Sequence, residues 1–327
     1  MRQKSDEAYG RILANVRLGI LSDADSKVLK ERELKLNTHT IETCLSDLAD
    51  HIFRLPSDCV CLVPKNDQCN TINNAMLSKL NTPPVVLKAI DCIEAKTPAQ
   101  MQRAQKSLQK LSDSSSKTAG LENEISLKIG AKIMLLRNIE VSSGLVNGAI
   151  GIISKIHRNM NGKQVEKLTI EFFNVGSREI EPAETKFPVQ GGIYVVRKQF
   201  PIRLAYAISI HKSQGITVKN CIVDIGDSIF STGQAYVALS RVTSLSGLYI
   251  INLNPASVKA NNSALIEYNR LRQKFRHDLS NLSQAESRNS IVSDRNVYSK
   301  KLEPHAIDIK VADSKKNPDK KKKKRIS

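Results

Sequence analysis

Residues 59–80 constrain the fold most, because an apolar run, a polar loop and a helical pattern follow one another directly. The run CVCLV (59–63) predicts a buried strand, and the loop Pro64-Lys65-Asn66 comes after it. Beyond the loop, apolar residues recur at helical spacing, at Cys69, Ile72, Met76, Leu77 and Leu80. A strand, a polar loop and a helix in this order form a βα unit of an α/β domain, and ligands favour the carboxyl ends of such strands.

Similar patterns surround this unit on both sides. Residues 1–30 predict two helices, the first from the spacing of Tyr9, Ile12, Leu13 and Val16 and the second starting near Ser22. Thr97-Pro98 predicts the start of another helix. From about residue 202 the α/β pattern resumes, with strands at 220–225 and 247–253, a helix near 234–239 and an amphipathic helix at 263–275.

Between residues 127 and 200 the pattern changes to short strands and turns, after a flexible link at 112–120. Four apolar segments, AKIMLL, AIGIISKI, KLTIEFF and GIYVV, are separated by Asn147-Gly148, Asn161-Gly162 and Gly191-Gly192. Asn-Gly between β-type segments indicates a hairpin. We predict a small antiparallel barrel inserted into the α/β domain.

The net charge of +18 predicts a polyanionic partner, with a basic but non-binding surface as the alternative. Residues 313–325 hold eight Lys or Arg against two Asp, which is +6, so the rest of the chain carries 18 − 6 = +12. From about residue 277 the polar composition predicts a disordered basic tail. Its lysine run suits a nuclear localisation signal or a non-specific DNA arm, and solvated disorder alone is the alternative.

Neither a bilayer span nor a secretory signal is evident, since apolar runs such as Ile133–Leu136 are short. We therefore expect a soluble intracellular protein with no membrane partner. The six cysteines form no CxxC pair, which favours free thiols and no metal site; zinc bound by Cys59, Cys61 and Cys69 is the weaker alternative.

The segment AISIHKSQGITV (207–218) begins with a strand pattern and then places four hydrogen-bonding or flexible residues in succession: Lys212, Ser213, Gln214 and Gly215. A solvated turn explains such a segment on its own. The solvated turn is the favoured explanation for the isolated segment, and a ligand-binding turn is the alternative that the rest of the chain can favour.

Five segments occur in an order that resembles the C-terminal half of Pif-type helicases, superfamily-one enzymes related to RecD. They are MRQKSD, LVPKNDQCNTINNAML, LKIGAKIMLLRNIEVSSGLVNGAIGIISKI, AISIHKSQGITV and GQAYVALSRVTSLSGL. The resemblance covers about residues 1–255, and its texture is closest to helicases of Helitron-like mobile elements.

This resemblance implies a domain organisation. Residues 1–84 and 201–270 would form the second RecA-like domain of a P-loop NTPase-like fold, and residues 85–200 would hold an inserted Src-homology-three-like β-barrel. Residues 271–327 would contain the end of a helix and the tail. ATP would bind between this domain and a first RecA-like domain, supplied in cis or in trans, and single-stranded DNA would cross both.

The resemblance also implies site residues. Arg2 and Arg241 would be arginine fingers for the γ-phosphate, and guanidinium groups suit the charge that develops on phosphoryl oxygens. Without the family motif, a surface ion pair would explain Arg241. Gln214, Gly215 and Gln234 would contact or orient the nucleotide. Residues implied in DNA contact are Lys65, Asn66, His211, Lys212, Ser213 and Thr217; the family usually has Thr where this chain has Lys65.

The sequence contains no G-x-x-x-x-G-K-[ST] segment to cradle ATP and no strand-borne carboxylate for Mg²⁺; Asp6-Glu7 stands where a helix should begin. We therefore expect the C-terminal portion of an ATP-dependent 5′-to-3′ DNA helicase, inactive alone, from a truncated gene or a degenerate copy. The alternative is a non-enzymatic DNA-binding remnant of a mobile element. Repair, recombination, telomere maintenance and transposition are not distinguished, and the expected location is nuclear, with mitochondrial or cytoplasmic alternatives.

Overall fold

The computed structural model of the chain describes residues 3, 5–36, 40–111, 118, 120–190 and 192–277. The α-helices of this part are α1 (Glu7–Arg17), α2 (Asp23–Lys30), α3 (Ile41–Arg54), α4 (Asn66–Ser78), α5 (Pro98–Leu111), α6 (Gln234–Leu239) and α7 (Asn262–Phe275). Short 3₁₀ helices span Ile210–Ser213, Leu245–Gly247 and Pro255–Ser257.

The strands of the described residues are numbered in chain order. They are β1 (Val60–Val63), β2 (Val85–Lys88), β3 (Ile90–Glu94), β4 (Glu124–Leu127), β5 (Lys132–Leu135), β6 (Ile150–Arg158), β7 (Val165–Phe172), β8 (Gly176–Ile180), β9 (Ala183–Val189), β10 (Ile193–Gln199), β11 (Ile202–Leu204), β12 (Ala207–Ser209), β13 (Cys221–Ile225) and β14 (Leu248–Leu253).

Four strands form a parallel sheet in the order β12–β1–β13–β14. All four residues of β1 are buried, because helices cover both faces of the sheet. Val60 and Leu62 pack with α1, α2 and α6, whereas Cys61 and Val63 pack with α3 and α4. The predicted α/β class and the predicted βα unit of residues 59–80 are therefore confirmed.

The strand that opens the segment 207–218 is shorter than its alternating pattern predicts. β12 ends at Ser209, and Ile210 and His211 belong to the following 3₁₀ helix. The free edge of β12 is paired by a side chain: Asn73 donates from Nδ2 to Ala207 O and accepts from Ala207 N, both at 2.9 Å. A single side-chain amide thus satisfies both backbone groups of Ala207 at this edge.

The middle of the chain forms antiparallel sheets. Five strands pair in the order β11–β5–β6–β7–β8, three in the order β3–β10–β9, and β2 pairs with β4. The turn at Asn161-Gly162 joins β6 to β7 as predicted, with Gly162 at φ +67°. Helix α5 begins at Pro98 as predicted and buries Ala104 against the three-stranded sheet. Closure of these strands into a barrel stays a prediction.

A buried lysine joins the antiparallel and parallel regions. Lys132 on β5 donates from Nζ to Cys59 O at 2.8 Å, just before β1, and Nζ lies 5.3 Å from the centre of the Tyr206 ring. Burial lowers the pKa of Lys132 to about 8. The two regions are therefore connected by a cation that is costly to bury.

The ends of the chain show one confirmed prediction and one difference. Asp6 caps α1, accepting from Tyr9 N at 2.9 Å, as expected for a residue at a helix start. Helix α7 forms where predicted, but it has no buried residue, and Ile266 and Phe275 are exposed. The predicted disordered tail lies outside the described residues. No described helix has both the length and the apolar composition required to cross a membrane.

Candidate functional site

The polar segments that follow the parallel strands lie at one edge of the sheet. β1 and β12 are parallel neighbours, with Val63 beside Ser209, so the segments after them start side by side. Lys65 and Asn66 open α4 after β1, and both are exposed. The 3₁₀ helix 210–213 follows β12. The fold therefore brings together two of the segments that the sequence predicted to bind DNA.

The three polar residues of the 3₁₀ helix face different surroundings. His211 is exposed, and its ring packs edge-on against Phe230 with centroids 5.6 Å apart. Lys212 lines a cleft beside α4. Ser213 is only 1% exposed, and its Oγ donates to Ile210 O at 2.7 Å. The Ser213 hydroxyl is thus used inside the turn, and its contact with DNA stays a prediction.

The turn after Ser213 presents the remaining predicted residues to solvent. Gln214, Gly215 and Thr217 are all exposed. Gly215 has φ +87°, and no other atom lies within 4 Å of the position that a Cβ would occupy. Glycine is therefore required by the left-handed backbone and not by crowding.

Arg241 lies in the interior next to this turn. It is 8% exposed, and its Nε donates to Val237 O at 2.8 Å while Nη2 donates to Ser240 Oγ at 2.7 Å. Nη1 lies 3.5 Å from both Ser213 O and Ile216 O, the long limit for a hydrogen bond. Burial argues against the alternative of a surface ion pair. The guanidinium is held in one orientation against the turn.

The N-terminal motif reaches the same place through Gln3. This buried side chain donates from Nε2 to Val242 O at 2.6 Å and to Ser240 O at 3.3 Å, the carbonyls on either side of Arg241. Arg2 itself lies outside the described residues. Residues separated by more than 230 positions therefore converge around Arg241.

Gln234 supports the loop before α6. It is 3% exposed, and its Oε1 accepts from Phe230 N at 3.2 Å. Within the described residues its Nε2 has no hydrogen-bond partner. Asp224 holds the start of this loop by accepting from Gly226 N and Ser228 Oγ, and burial raises the pKa of its carboxyl. The contact of Gln234 with a nucleotide stays a prediction.

A cleft of about 550 Å³ lies on the other side of the 3₁₀ helix. Its wall on α4 is lined by Asn66, Cys69, Asn70, Asn73 and Asn74; the facing wall, by residues 122–126, Arg203, Leu204, 207–209 and Lys212. Burial lowers the pKa of Arg203 and, together with the Arg203 charge, that of Lys212. The cleft therefore holds two cations in a partly desolvated place.

Sequence reasoning missed Gln3, Asn73 and Arg203. Gln3 and Asn73 bond to backbone groups distant in sequence, so no local pattern marks them. Arg203 had a usable signal, because a charged residue interrupts the apolar strand PIRLAY (201–206).

A phosphoryl group and a protein-held metal ion place different demands on the described residues. The enclosed guanidinium of Arg241 beside an exposed turn is suited to phosphoryl oxygens. By contrast, no group of three or more His, Cys, Asp or Glu side chains in the described part of the chain could hold a metal ion. All six cysteines are free thiols.

Comparisons with known proteins point to one family. The family description "DNA helicase Pif1, 2B domain" matches residues 114–156. The ATP-dependent DNA helicase PIF1 of Danio rerio is 43% identical over 151 residues, which are 46% of this chain and 23% of that protein. The chain thus matches less than a quarter of that relative's length.

Solved structures agree with the sequence relatives. The crystal structure of Pif1 helicase from Candida albicans has a TM-score of 0.63 at 25% identity, covering 83% of this chain and 59% of that one. A Bacteroides Pif1 helicase in complex with ADP-AlF3 and ssDNA has a TM-score of 0.55 at 21% identity, covering 84% and 56%, which shows the fold alone. Taken with the motif order and the fold, these matches show that the chain is similar to helicases of the Pif1 family over part of their length.

Proposed function

We propose that this chain supplies the second RecA-like half of an ATP-dependent DNA helicase. One observation carries the proposal: Gln3, Arg241 and the turn at 213–216, which come from three separate family motifs, meet in one hydrogen-bonded cluster. The similar Bacteroides helicase binds ADP-AlF3 and ssDNA. A phosphate-cradling loop must then come from another segment, in cis or in trans.

In this proposal Arg241 neutralises charge on the phosphoryl group during transfer. Its orientation is preset by Val237 O and Ser240 Oγ, so little conformational entropy is lost when phosphate arrives. Arg2 directly precedes Gln3 in sequence and would provide a second guanidinium. The nucleotide side of the turn would be shaped by Gln214, Gly215 and Gln234. ATP, when bound, would supply the transferable γ-phosphoryl group.

The DNA side of the proposal uses the exposed groups at the same sheet edge. Lys65, Asn66, His211, Lys212 and Thr217 would bind a single strand mainly through phosphate and sugar. Ser213 lies between the two sides, because its carbonyl faces Arg241 and its neighbour Lys212 faces the cleft. A shift at Arg241 on hydrolysis would therefore be passed to the DNA through one 3₁₀ turn.

The proposed organisation follows the family. Residues 1–84 and 201–270 would be the second RecA-like domain, residues 85–200 the insertion with its barrel, and 271–327 the helix end and tail. Nuclear location and kinship to Helitron-like elements remain predictions.

The proposal is tested by joining the chain to the first RecA-like domain of a Pif1 helicase and measuring DNA-stimulated ATP hydrolysis. Arg241→Ala should lower kcat by about 10³-fold, and Arg241→Lys should not restore it, because lysine lacks the planar fork. The control Arg270→Ala removes an exposed arginine on α7 and should change nothing. Full turnover in the Arg241→Ala fusion would refute the proposal.

A second candidate is a non-enzymatic single-stranded-DNA-binding protein. The charge of +12 outside residues 313–325 favours it. It predicts salt-sensitive DNA binding by the chain but no hydrolysis in the fusion, so the same experiment separates the two.

A further inference from the structure

A groove of about 280 Å³ lies in the antiparallel part of the chain, where the ends of several strands meet. Residues 86–88 and Ile90 form one wall, residues 163–165 and Arg158 the second, and residues 198–200 with Pro182 the third. The groove shares no lining residue with the cleft beside the 3₁₀ helix. It is therefore separate from every residue that the proposed function uses.

The floor of the groove is apolar. Leu87, Val165 and Phe200 are buried and belong to the hydrophobic core of the five-stranded sheet. At the rim, Val86 and Ile90 are 48% and 52% exposed. Single exposed apolar side chains are common on protein surfaces, but these two adjoin an apolar floor and extend it to solvent. The groove can therefore bury an apolar group of a ligand.

Four exposed cations surround this apolar floor. They are Lys88, Arg158, Lys163 and Lys198, and no carboxylate lines the groove with them among the described residues. Within that part of the chain none of the four forms an ion pair. Their charges are therefore available to an anionic ligand.

The nearest glutamates reduce this charge without cancelling it. Glu124 on β4 is the strand partner of Lys88, and Glu184 on β9 is the strand partner of Lys198. Neither glutamate lines the groove. Four lining cations and these two carboxylates give 4 − 2 = +2, so a positive excess remains.

Two side-chain amides hold the walls in place. Gln199 donates from Nε2 to Leu87 O at 3.1 Å, and its Oε1 accepts from Phe200 N at 2.9 Å. On the facing wall, Asn159 Oδ1 accepts from Lys163 N at 3.1 Å and fixes the turn between β6 and β7. The groove is therefore formed before a ligand arrives, which lowers the entropic cost of binding.

We propose that this groove binds an acidic peptide segment of a partner protein, with one large apolar side chain on the floor and carboxylates at the four cations. Drug-sized ligands occupy roughly 300–1,000 Å³, so the smaller groove suits a single side chain better. A DNA backbone would match the cations but would leave Val86 and Ile90 without an apolar partner. The inference goes beyond the proposed function and does not depend on it.

The test uses the full chain and fluorescence anisotropy with labelled peptides of the sequence DEDXDED, where X is Leu, Phe or Gly. The Leu and Phe peptides should bind about tenfold more tightly than the Gly peptide, because only they bury an apolar side chain. Added salt should weaken all three, since the carboxylates contact exposed cations.

Two double variants separate the charged and apolar contributions. Lys88→Ala/Lys198→Ala should weaken the Leu peptide about three- to tenfold, the effect of two exposed ion pairs. The charge-matched control Lys27→Ala/Lys30→Ala removes two exposed lysines of α2 and should bind as wild type.

Val86→Ser/Ile90→Ser should reduce the preference for Leu over Gly and leave affinity for the Gly peptide unchanged. Both positions are exposed, so the melting temperature should change little.

Three results would overturn the inference. They are equal binding of the Leu, Phe and Gly peptides, no binding of any of them, and loss of affinity for a labelled DNA duplex but not for the peptides in Lys88→Ala/Lys198→Ala. The last result would assign the groove to DNA. None of them bears on ATP hydrolysis by the fusion, because the groove shares no residue with the turn beside Arg241.

Discussion

Two arginines on either side of the same 3₁₀ helix differ in how the fold treats them. Arg241 is buried, and carbonyl and hydroxyl oxygens accept from its guanidinium. Arg203 is half-buried, and its enclosed Nε has no acceptor among the described residues. The protein itself therefore pairs the guanidinium of Arg241, whereas it leaves the Nε of Arg203 without an acceptor among the described residues.

In the proposed function, this difference would let one turn serve two ligands. A group that must stabilise a brief charge benefits from being held in place beforehand. A group that binds and releases a moving strand benefits from having few hydrogen bonds to the rest of the protein. Ser213 and Lys212 are adjacent in sequence but belong to different sides of the turn. The Ser213 carbonyl lies near Arg241, whereas Lys212 lines the cleft.

The strongest test of the comparison is stability. Arg241→Ala should lower the free energy of unfolding by about 2–4 kcal/mol, because it removes a large buried side chain and its short hydrogen bonds to Val237 O and Ser240 Oγ. Arg203→Met should change it by less than about 0.5 kcal/mol, since no hydrogen bond is lost and a desolvated cation is removed. Urea denaturation measures both. Equal losses in the two variants would contradict the comparison.

Lys132 extends the comparison of the two arginines. This buried cation has a hydrogen-bond acceptor, Cys59 O, and burial still lowers its pKa. The folded chain, with a pKa of about 8, releases this proton before the unfolded chain, whose lysine has its ordinary pKa of 10.5. The unfolded state then binds more protons, so stability rises with pH from about 8 to about 10.5. Across two pH units the Lys132 contribution should reach about 2–3 kcal/mol.

The measurement is the pH dependence of urea unfolding for wild type and Lys132→Met. Lys132 also lowers the pKa of Cys59, but that pKa is still about 12, so this thiol stays protonated in both folded chains up to pH 10.5 and the difference between the curves isolates Lys132. Parallel curves above pH 8 would show that burial does not depress the pKa of this lysine.

Gly215 tests whether the turn beside Arg241 is preset by its backbone. Gly215→Ala should destabilise the chain by about 1–2 kcal/mol, because φ of +87° is unfavourable for a residue with a Cβ. The cost should come from conformation alone, since the space for the Cβ is open. Thermal unfolding monitors it, and an unchanged melting temperature would mean that the turn rearranges freely.

Tyr9 gives the smallest expected effect on the Arg241 side. Its buried hydroxyl donates to Leu239 O at 2.7 Å and ties α1 to the end of α6, two residues before Arg241. Tyr9→Phe should cost about 1 kcal/mol in urea unfolding. Tyr194→Phe is the matched control, because that ring is 45% exposed. A Tyr9 effect no larger than the control would mean that α6 does not depend on this bond.

Local patterns predicted the secondary structure well and the ligand-facing groups less well. The helical spacing of Tyr9, Ile12, Leu13 and Val16 and the apolar run 59–63 report burial directly, and all of these side chains are buried. The segment 207–218 was harder, because small side chains such as Ala207 and Ser209 are compatible with a strand buried on both faces. Its alternation therefore overestimated the length of β12.

By itself the sequence determined the α/β class, the resemblance to Pif-type helicases and the order of the motifs, because each depends on residue type and spacing within short segments. Only the tertiary structure decided that Gln3 bonds beside Arg241, that Ser213 turns inward, and that Arg203 lines one cleft with Asn70 and Asn74. These facts depend on contacts between residues distant in the chain, and whether a polar group is satisfied or still needs a partner is a property of those contacts.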